Sequence, residues 1–464
     1  METEIHYFIN QIKQDIRQAL DDKDYEKAIC CSKFLCSFYY EYDYTYYDKE
    51  MEECAKRAAV EYIGNTIIDH PDRNKIFFYD KFGLIDRGLA NIYVNSLLDL
   101  GYEVIWCLFE NGLQVKQIVD RFDSKSNLSF AFIPDLSVVE RMVFLKNIIC
   151  KAGALHYFIY TLPTDVECMG VFASLQGDVK KYLINLTDHT FWIGADAIDY
   201  SIEFRNLGAN ISNIYRKIDM KKIRMLPYYP DERKSETYQG MPFSEEEEFV
   251  FSGGSAYKLE GSDIYEQIVC KILDKYPKLK FVFATNEKSE KLARLAAVYK
   301  GRFYVIKERS DLEEILKRAK FYLSTYPLGG GLLIQYALLN NCIPLCLTDK
   351  GNAVTNPKSW LLHPKKADFI FYAMNDLLRK VDELMARRGK ADTDYAQCVI
   401  SPSEFRRELR NILEGRATSY ACFEEAPDMR LFHSYYEKRL QEQSIQDIIK
   451  QSRNKWIKEK YSLY

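Results

Sequence analysis

The rhythm of apolar and polar positions changes twice along this chain. Through about residue 70, apolar side chains recur at helical spacing, as between Asp24 and Ile63, with no strand-like alternation broken by turns. The spacing then shifts. An apolar run at Lys75 to Tyr79, a turn-rich "DKFGLIDRG", a helical "LANIYVNSLLDLG" and a second run "YEVIWCLFE" spell strand, loop, helix, strand, the βαβ unit of a parallel sheet. Further runs at "LSFAFIP", "LHYFIYTLP" and "KYLINLTD" extend one α/β domain. The stretch from Leu226 to Phe249 carries three prolines and an acidic cluster without helical period, so it reads as a linker. A second series follows, with strands at "EFVFSGG", "LKFVFATN", "RFYVIKE", "KFYLSTY" and "IPLCL" and helices at "SDIYEQIVCKILDKYP", "SDLEEILKRA" and "GGLLIQYALLNN". From about Pro402 the pattern is helical again. The expected divisions are a helical extension over 1–70, α/β domains over 71–230 and 248–400, and C-terminal helices over 401–464. Two doubly wound domains joined by a hinge are expected to face a cleft at the carboxyl ends of their strands, where such sheets bind ligands.

The totals agree with that division and remove some functions. At 464 residues the chain exceeds the size of a single core, and 64 Lys plus Arg against 67 Asp plus Glu leave a net charge of -3. So even a balance gives no long-range pull toward polyphosphate or anionic lipid, and no nucleic-acid partner is expected. The twelve cysteines are scattered without a CxxC pair, and the start is acidic and helical rather than a secretory leader. Reduced thiols and a cytoplasmic location follow, with any membrane contact peripheral, since no apolar run approaches the ~18–20 residues of a span. The tyrosine-rich "FYYEYDYTYY" is either a face for a partner or, more plainly, packing against the next domain.

Chemistry concentrates at two glycine-rich junctions. Gly329, Gly330 and Gly331 stand between a strand and a helix, where free backbone N–H groups and the positive end of the helix dipole favour an anion. A tight turn without ligand is the competing reading of that triplet alone. Its companion is the loop of Gly253, Gly254 and Ser255 after the first strand of the same domain, with Lys258 three residues on. Two such loops on one sheet edge, one carrying a lysine, suit a diphosphate. Neither matches GxxxxGK[ST] or GxGxxG, so an ATPase or dehydrogenase is not supported.

The order of elements from 249 to 347, with "SGGSAYK" and "ERSDLEEILKRAKFYLSTYPLGGGLLIQYALLNNCIPLCL", resembles the donor-binding domain of GT-B glycosyltransferases, two-domain enzymes that use nucleotide sugars. The stretch "FYDKFGLIDRGLANIYVNSLLDLGYEV" is similar to the start of the acceptor domain in bacterial members that build surface glycans or decorate proteins. The resemblance implies an α/β fold of two Rossmann-like domains (GT-B), with the C-terminal helices packing back on the first. It implies a metal-independent transfer of a sugar, of the hexosyltransferase type, to a glycan, a lipid-linked glycan or a protein. A lipid-linked acceptor would bring the protein to the inner face of the membrane. It implies no cofactor. It gives Lys258 to the donor diphosphate and Gly329 to Gly331 to the sugar and phosphate. Many retaining members carry two glutamates eight positions apart here. This chain has Gln335 and Pro327 instead, so Gln335 is left to meet a ribose hydroxyl as a neutral group. Arg309, ahead of the "SDLEE" helix start, is a further candidate for the diphosphate, while Asp86, Arg87 and Gly88 are candidates for acceptor or phosphate contact, with an ordinary solvated arginine the alternative for Arg87.

For the acceptor proton the candidates are His189 and Asp188, at the end of the run "KYLIN". A histidine near neutral pKa is suited to take a hydroxyl proton, or alternatively holds structure. Neighbours on an extended strand point to opposite faces, which argues against a direct Asp188–His189 pair unless the chain turns there. Asp196, Asp199, Glu203 and Arg205 read as caps and surface pairs, with Glu203 a reserve base, and His156 and His363 read as structural. No D-x-D pair follows an apolar strand, so no metal site is expected. The rival from another class is a non-catalytic GT-B-shaped subunit that holds glycan or polypeptide for a partner enzyme.

Overall fold

The computed structural model describes residues 2–42, 44–85, 89–112, 114–231, 237–351, 353–354, 356–362, 367–387, 395–420, 429 and 433. The chain divides into two compact units, Met1–Leu226 with the chain from Ser403 onward, and Pro227–Pro402.

Unit 1 opens with helices α1 (Glu2–Asp21), α2 (Tyr25–Tyr42) and α3 (Lys49–Ile63), followed by a short strand β1 (Thr66–Ile67). Its α/β body runs β2 (Asp72–Asp80), α4 (Leu89–Asp99), β3 (Glu103–Phe109), α5 (Val115–Phe122), β4 (Leu128–Ile133), α6 (Val138–Ala152), β5 (Ala154–Tyr160), α7 (Val166–Ser174), β6 (Leu175–Gln176), β7 (Lys180–Ile184), β8 (Tyr200–Glu203), α8 (Asn206–Ile214) and β9 (Ile223–Met225). Seven parallel strands form the main sheet in the order β4-β3-β2-β5-β7-β8-β9, while β1 pairs with β6. Central strands read as unbroken apolar runs because helices cover both faces; Ile76, Phe77, Phe78 and Tyr79 of β2 are all buried. Local signals place the helices. Ser137 and Glu140 form a capping box at the start of α6, and Gly153 ends it in the left-handed conformation at φ 53°.

The three leading helices share the core of this sheet. Leu35, Tyr39, Met51 and Ala58 belong to one buried cluster with Phe77, Tyr157, Phe172 and Phe191. Contact between α3 and α7 is close because Gly170 has no side chain: a Cβ there would lie 2.6 Å from that of Ala59. Of the tyrosine-rich stretch, Phe38, Tyr39 and Tyr42 are buried, and Tyr39 donates to Asp48 at 2.6 Å.

Unit 2 contains β10 (Phe249–Gly253), α9 (Ile264–Lys275), β11 (Lys280–Ala284), α10 (Glu290–Val298), β12 (Phe303–Ile306), α11 (Leu312–Arg318), β13 (Tyr322–Leu323), α12 (Gly331–Leu339), β14 (Pro344–Leu347), β15 (Ile370–Phe371) and α13 (Met374–Ala386). Its six strands are parallel in the order β12-β11-β10-β13-β14-β15. The last described helix, α14 (Pro402–Leu413), lies on unit 1, with Phe405 edge-on to Tyr93 at 5.0 Å and Arg406 paired with Asp99 at 2.6 Å. Among the described residues no helix is long and apolar enough to cross a membrane, and the cysteines are free.

Candidate functional site

In unit 2 the strand order reverses between β10 and β13. Successive strands from β10 step one way to β12, and the chain then returns to lay β13 on the other side of β10. Such a switch point opens a crevice at the carboxyl ends of the two strands, because their following loops part in opposite directions. The two glycine-rich junctions are those loops. The main-chain carbonyl of Lys258 accepts from the amide of Leu328 at 3.4 Å, which ties the first loop to the second. The Lys258 ammonium sits between them, since a Cβ on Gly330 would stand 3.0 Å from Nζ and one on Gly254 would stand 3.7 Å away.

The second loop is left open. Gly330 is the N-cap of α12 and offers no side chain to its first turn, and among the described residues no acceptor takes the amides of Gly329, Gly330 or Gly331. Gly331 must lack a side chain for another reason: a Cβ would press within 3.1 Å of the Trp360 indole. One turn further along α12, Gln335 is 3% exposed and its Nε2 donates to the Tyr228 carbonyl at 3.1 Å. Its Oε1 is buried without a donor among the described residues. A buried acceptor left unmet costs about 1–3 kcal/mol, so it points to a missing partner.

The first loop departs from expectation. Gly253 lies in the ladder with Ala284, the Gly254 amide donates to the Ala284 carbonyl at 3.0 Å, and the Ala256 amide donates to the Glu287 carboxylate at 2.7 Å. The Gly254 and Ala256 amides are committed, and the loop contributes the Lys258 side chain and the room that Gly254 leaves at φ +128°. Ser255 starts the short turn Ala256–Leu259 without a hydroxyl cap. Arg309 is held by other groups. Its Nε and Nη2 fork onto Asp311, and Nη1 donates to the Gly240 carbonyl at 2.6 Å. These bonds tether the segment before β10 and use three of the five guanidinium N–H groups.

In unit 1 the chain turns after β7, with the Thr190 amide facing the Thr187 carbonyl at 3.5 Å. That turn lets neighbours pair: His189 Nδ1 lies 3.2 Å from Asp188 Oδ1. Asp188 is wholly buried, whereas the His189 side chain is 33% exposed. Asp188 therefore has no exposed side-chain surface of its own to offer a ligand. Arg205 forks onto Asp188, Nε to Oδ2 at 2.5 Å and Nη2 to Oδ1 at 2.7 Å, and Arg216 Nη2 donates to the Asp188 carbonyl at 2.9 Å. Burial alone would raise the Asp188 carboxyl, but the Arg205 guanidinium outweighs it and holds the group well below the usual carboxylate range.

Glu203 and Arg205 are not the surface groups that their sequence suggested; both are buried. Asn185, Ser201 and Ser212 all donate to Glu203, whose carboxyl is nevertheless raised by burial. Gly208 makes this density feasible, since a Cβ there would lie 2.7 Å from Asp188 Oδ2 and from Glu203 Oε2. Asp199 caps the Lys181 amide at 2.8 Å, Asp196 accepts from Tyr47 at 3.0 Å, and His156 is a buried partner of Tyr182. Asp86, Arg87, Gly88 and His363 lie outside the described residues. Among those described, no group of three or more His, Cys, Asp or Glu is placed to hold a metal ion.

No protein-family profile and no curated protein sequence matches this chain. Solved structures do. A UDP-N-acetylglucosamine 2-epimerase from Neisseria meningitidis, bound to UDP-GlcNAc, is 9% identical with a TM-score of 0.50, over 74% of this chain and 99% of that one. A Listeria monocytogenes structure assigned as a UDP-N-acetylglucosamine 2-epimerase is 10% identical with a TM-score of 0.51, over 74% and 95%. A mutant O-GlcNAc transferase from Thermobaculum terrenum is 13% identical with a TM-score of 0.48, over 92% and 81%. Identities this low speak to fold. The chain is an α/β protein of the GT-B class, built from two Rossmann-like domains.

Proposed function

We propose that this chain is a glycosyltransferase that moves a hexose from a nucleoside-diphosphate sugar to a hydroxyl of a glycan, a lipid-linked glycan or a protein. The observation that carries the reading is the Lys258 ammonium standing beside Gly254 and Gly330 at the switch point, next to the uncapped start of α12. When the anomeric C–O bond to the diphosphate breaks, its electron pair leaves with the phosphate oxygen. Lys258, the amides of Gly329 to Gly331 and the dipole of α12 offer positive potential for that charge, and no metal is required for the step. Gln335 Oε1 supplies the acceptor for a ribose hydroxyl of the donor.

On the acceptor side, His189 is the proposed base. With Nδ1–H donated to the permanently ionised Asp188, the imidazole carries its lone pair on Nε2, and that nitrogen takes the proton of the attacking hydroxyl. Arg205 contributes by keeping Asp188 charged.

Thermal shift with UDP, GDP and CDP tests the reading, followed by a turnover screen over their common sugars. One nucleotide is expected to raise the melting point by mass action, and Lys258→Ala is expected to abolish the shift. Silence with all three nucleotides and their sugars would favour the non-catalytic subunit. The likeness to two epimerase structures motivates one more arm: a donor sugar inverted at one carbon without net release of nucleoside diphosphate would replace transfer by epimerisation.

A further inference from the structure

The sheet of unit 1 has a switch point of its own, between β2 and β5, and His189 and Asp188, which follow β7, do not lie on it. Lys81 does. It directly follows β2, its amide donates to the Tyr160 carbonyl at the end of β5 at 2.9 Å, and its ammonium stands 3.4 Å from the ring centroid of Phe109 at the end of β3. The side chain is thus fixed at the carboxyl ends of three adjacent strands.

Nearby carboxylates pair first with other groups. Glu167 Oε1 receives Lys33 Nζ at 2.9 Å and Arg141 Nη2 at 2.8 Å, while Glu167 Oε2 is buried without a donor among the described residues. The Asp165 carboxylate receives the Tyr79 hydroxyl at 2.8 Å, the Thr161 hydroxyl at 2.5 Å and the Cys168 amide at 3.2 Å. Asp80, next to Lys81 in sequence, turns to the other face and accepts from Trp106 Nε1 at 3.2 Å and from the amides of Phe82 and Gly83. Among the described residues no carboxylate forms an ion pair with Lys81, and the three cations Lys33, Arg141 and Lys81 face the two carboxylates Asp165 and Glu167. Burial disfavours the Lys81 ammonium and lowers its pKa despite Asp165 and Glu167 nearby. An aromatic face beneath a cation compensates only in part.

We infer that Lys81 is the ligand of an oxyanion, so that unit 1 holds a phosphate group of a substrate at the switch point of its own sheet. A compact anion supplies the negative charge this cluster lacks, and Lys81 meets it as a point charge. The inference does not depend on the transferase reading, and one experiment reads the two lysines separately.

The full chain is labelled with limiting acetic anhydride alone and with inorganic phosphate, glycerol 3-phosphate or UDP, and each lysine is followed by peptide mass spectrometry. Phosphate is expected to slow labelling of Lys81 severalfold while the exposed Lys271 and Lys300 label unchanged. Protection of Lys81 by UDP as well assigns the anion to a donor. Protection by glycerol 3-phosphate without UDP assigns it to an acceptor. Undiminished labelling of Lys81 in all three overturns the inference, whatever happens at Lys258. In a Lys258→Ala background, Lys81→Met should weaken the phosphate-induced thermal shift by about tenfold in apparent affinity, and Lys81→Arg should retain most of it. An unchanged shift in the Lys81→Met protein overturns the inference too.

Discussion

Two charged clusters at the carboxyl edges of the two sheets are built in opposite ways. Around Asp188 in unit 1, carboxylates, guanidinium groups, hydroxyls and the Asn185 amide nitrogen pair so densely that Gly208 is required to make room, with Asn185 Oδ1 alone of that amide left unmet among the described residues. Around Lys258 in unit 2, the ammonium stands beside Gly254 and Gly330, the three glycine amides have no acceptor among the described residues, and the Gln335 Oε1 is buried without a donor among them. A densely paired cluster maintains a shape, whereas open amides at a helix start leave room for a member that arrives from solution. His189 combines both characters within unit 1, with one ring nitrogen on the Asp188 network and a third of its side chain exposed.

Substitutions should separate the two kinds of cluster. Arg205→Met is expected to cost about 3–5 kcal/mol of stability, because it strands the buried charge of Asp188, and urea unfolding will show it. A loss near zero would mean that Asp188 is solvated and the network is slack. Lys258→Ala should leave unfolding within about 0.5 kcal/mol of the parent yet lower transfer by about 10²–10³-fold, since it removes one stabiliser of the leaving diphosphate. Equal damage to stability would move Lys258 into the structural class.

A third buried carboxylate probes the same contrast through pH. Glu52 of α3 accepts from the single Gly194 amide, at 2.8 Å on Oε1 and 3.0 Å on Oε2, and burial raises its carboxyl to about 8. Between its unfolded value near 4.5 and about 8, the folded state holds a proton that the unfolded state has lost, so stability falls as pH rises through that window. Glu52→Gln should flatten the slope and raise stability at pH 8 by about 1–3 kcal/mol relative to pH 5. An unchanged pH profile would show that Glu52 ionises freely. The smallest effect is expected at Gln335→Leu: nucleotide affinity down by about 3–10-fold, read by calorimetry, with little change in melting point.

Much of the architecture was legible because buried parallel strands read as unbroken apolar runs; β3, β10 and β11 fall within such runs, while β2 and β5 each begin before theirs. The glycine loops were legible too, since Gly329 to Gly331 sit between an apolar run and a helical period. Strand order was not, because neighbours in a parallel sheet are chosen by long-range packing, and β13 keeps only Tyr322 and Leu323 in its ladder. Glu203 and Arg205 misled for a physical reason. Charged residues beside a turn look solvated until their partners Asp188, Asn185, Ser201 and Ser212 converge from other parts of the chain. The partners of Arg309 were hidden in the same way, as Asp311 stands two residues on and Gly240 sixty-nine before it. Lys81 gave no sign at all: a lone lysine after a strand acquires meaning only when β5 and β3 arrive beside it.

The shared core of the leading helices and the first sheet has a practical corollary for anyone designing a shorter version. Cutting ahead of β1 would not release an appendage but strip a wall, leaving Phe191, Phe172 and Gly170 facing water where Tyr39 and Ala59 had covered them. The unit that remained would be sticky before it was small.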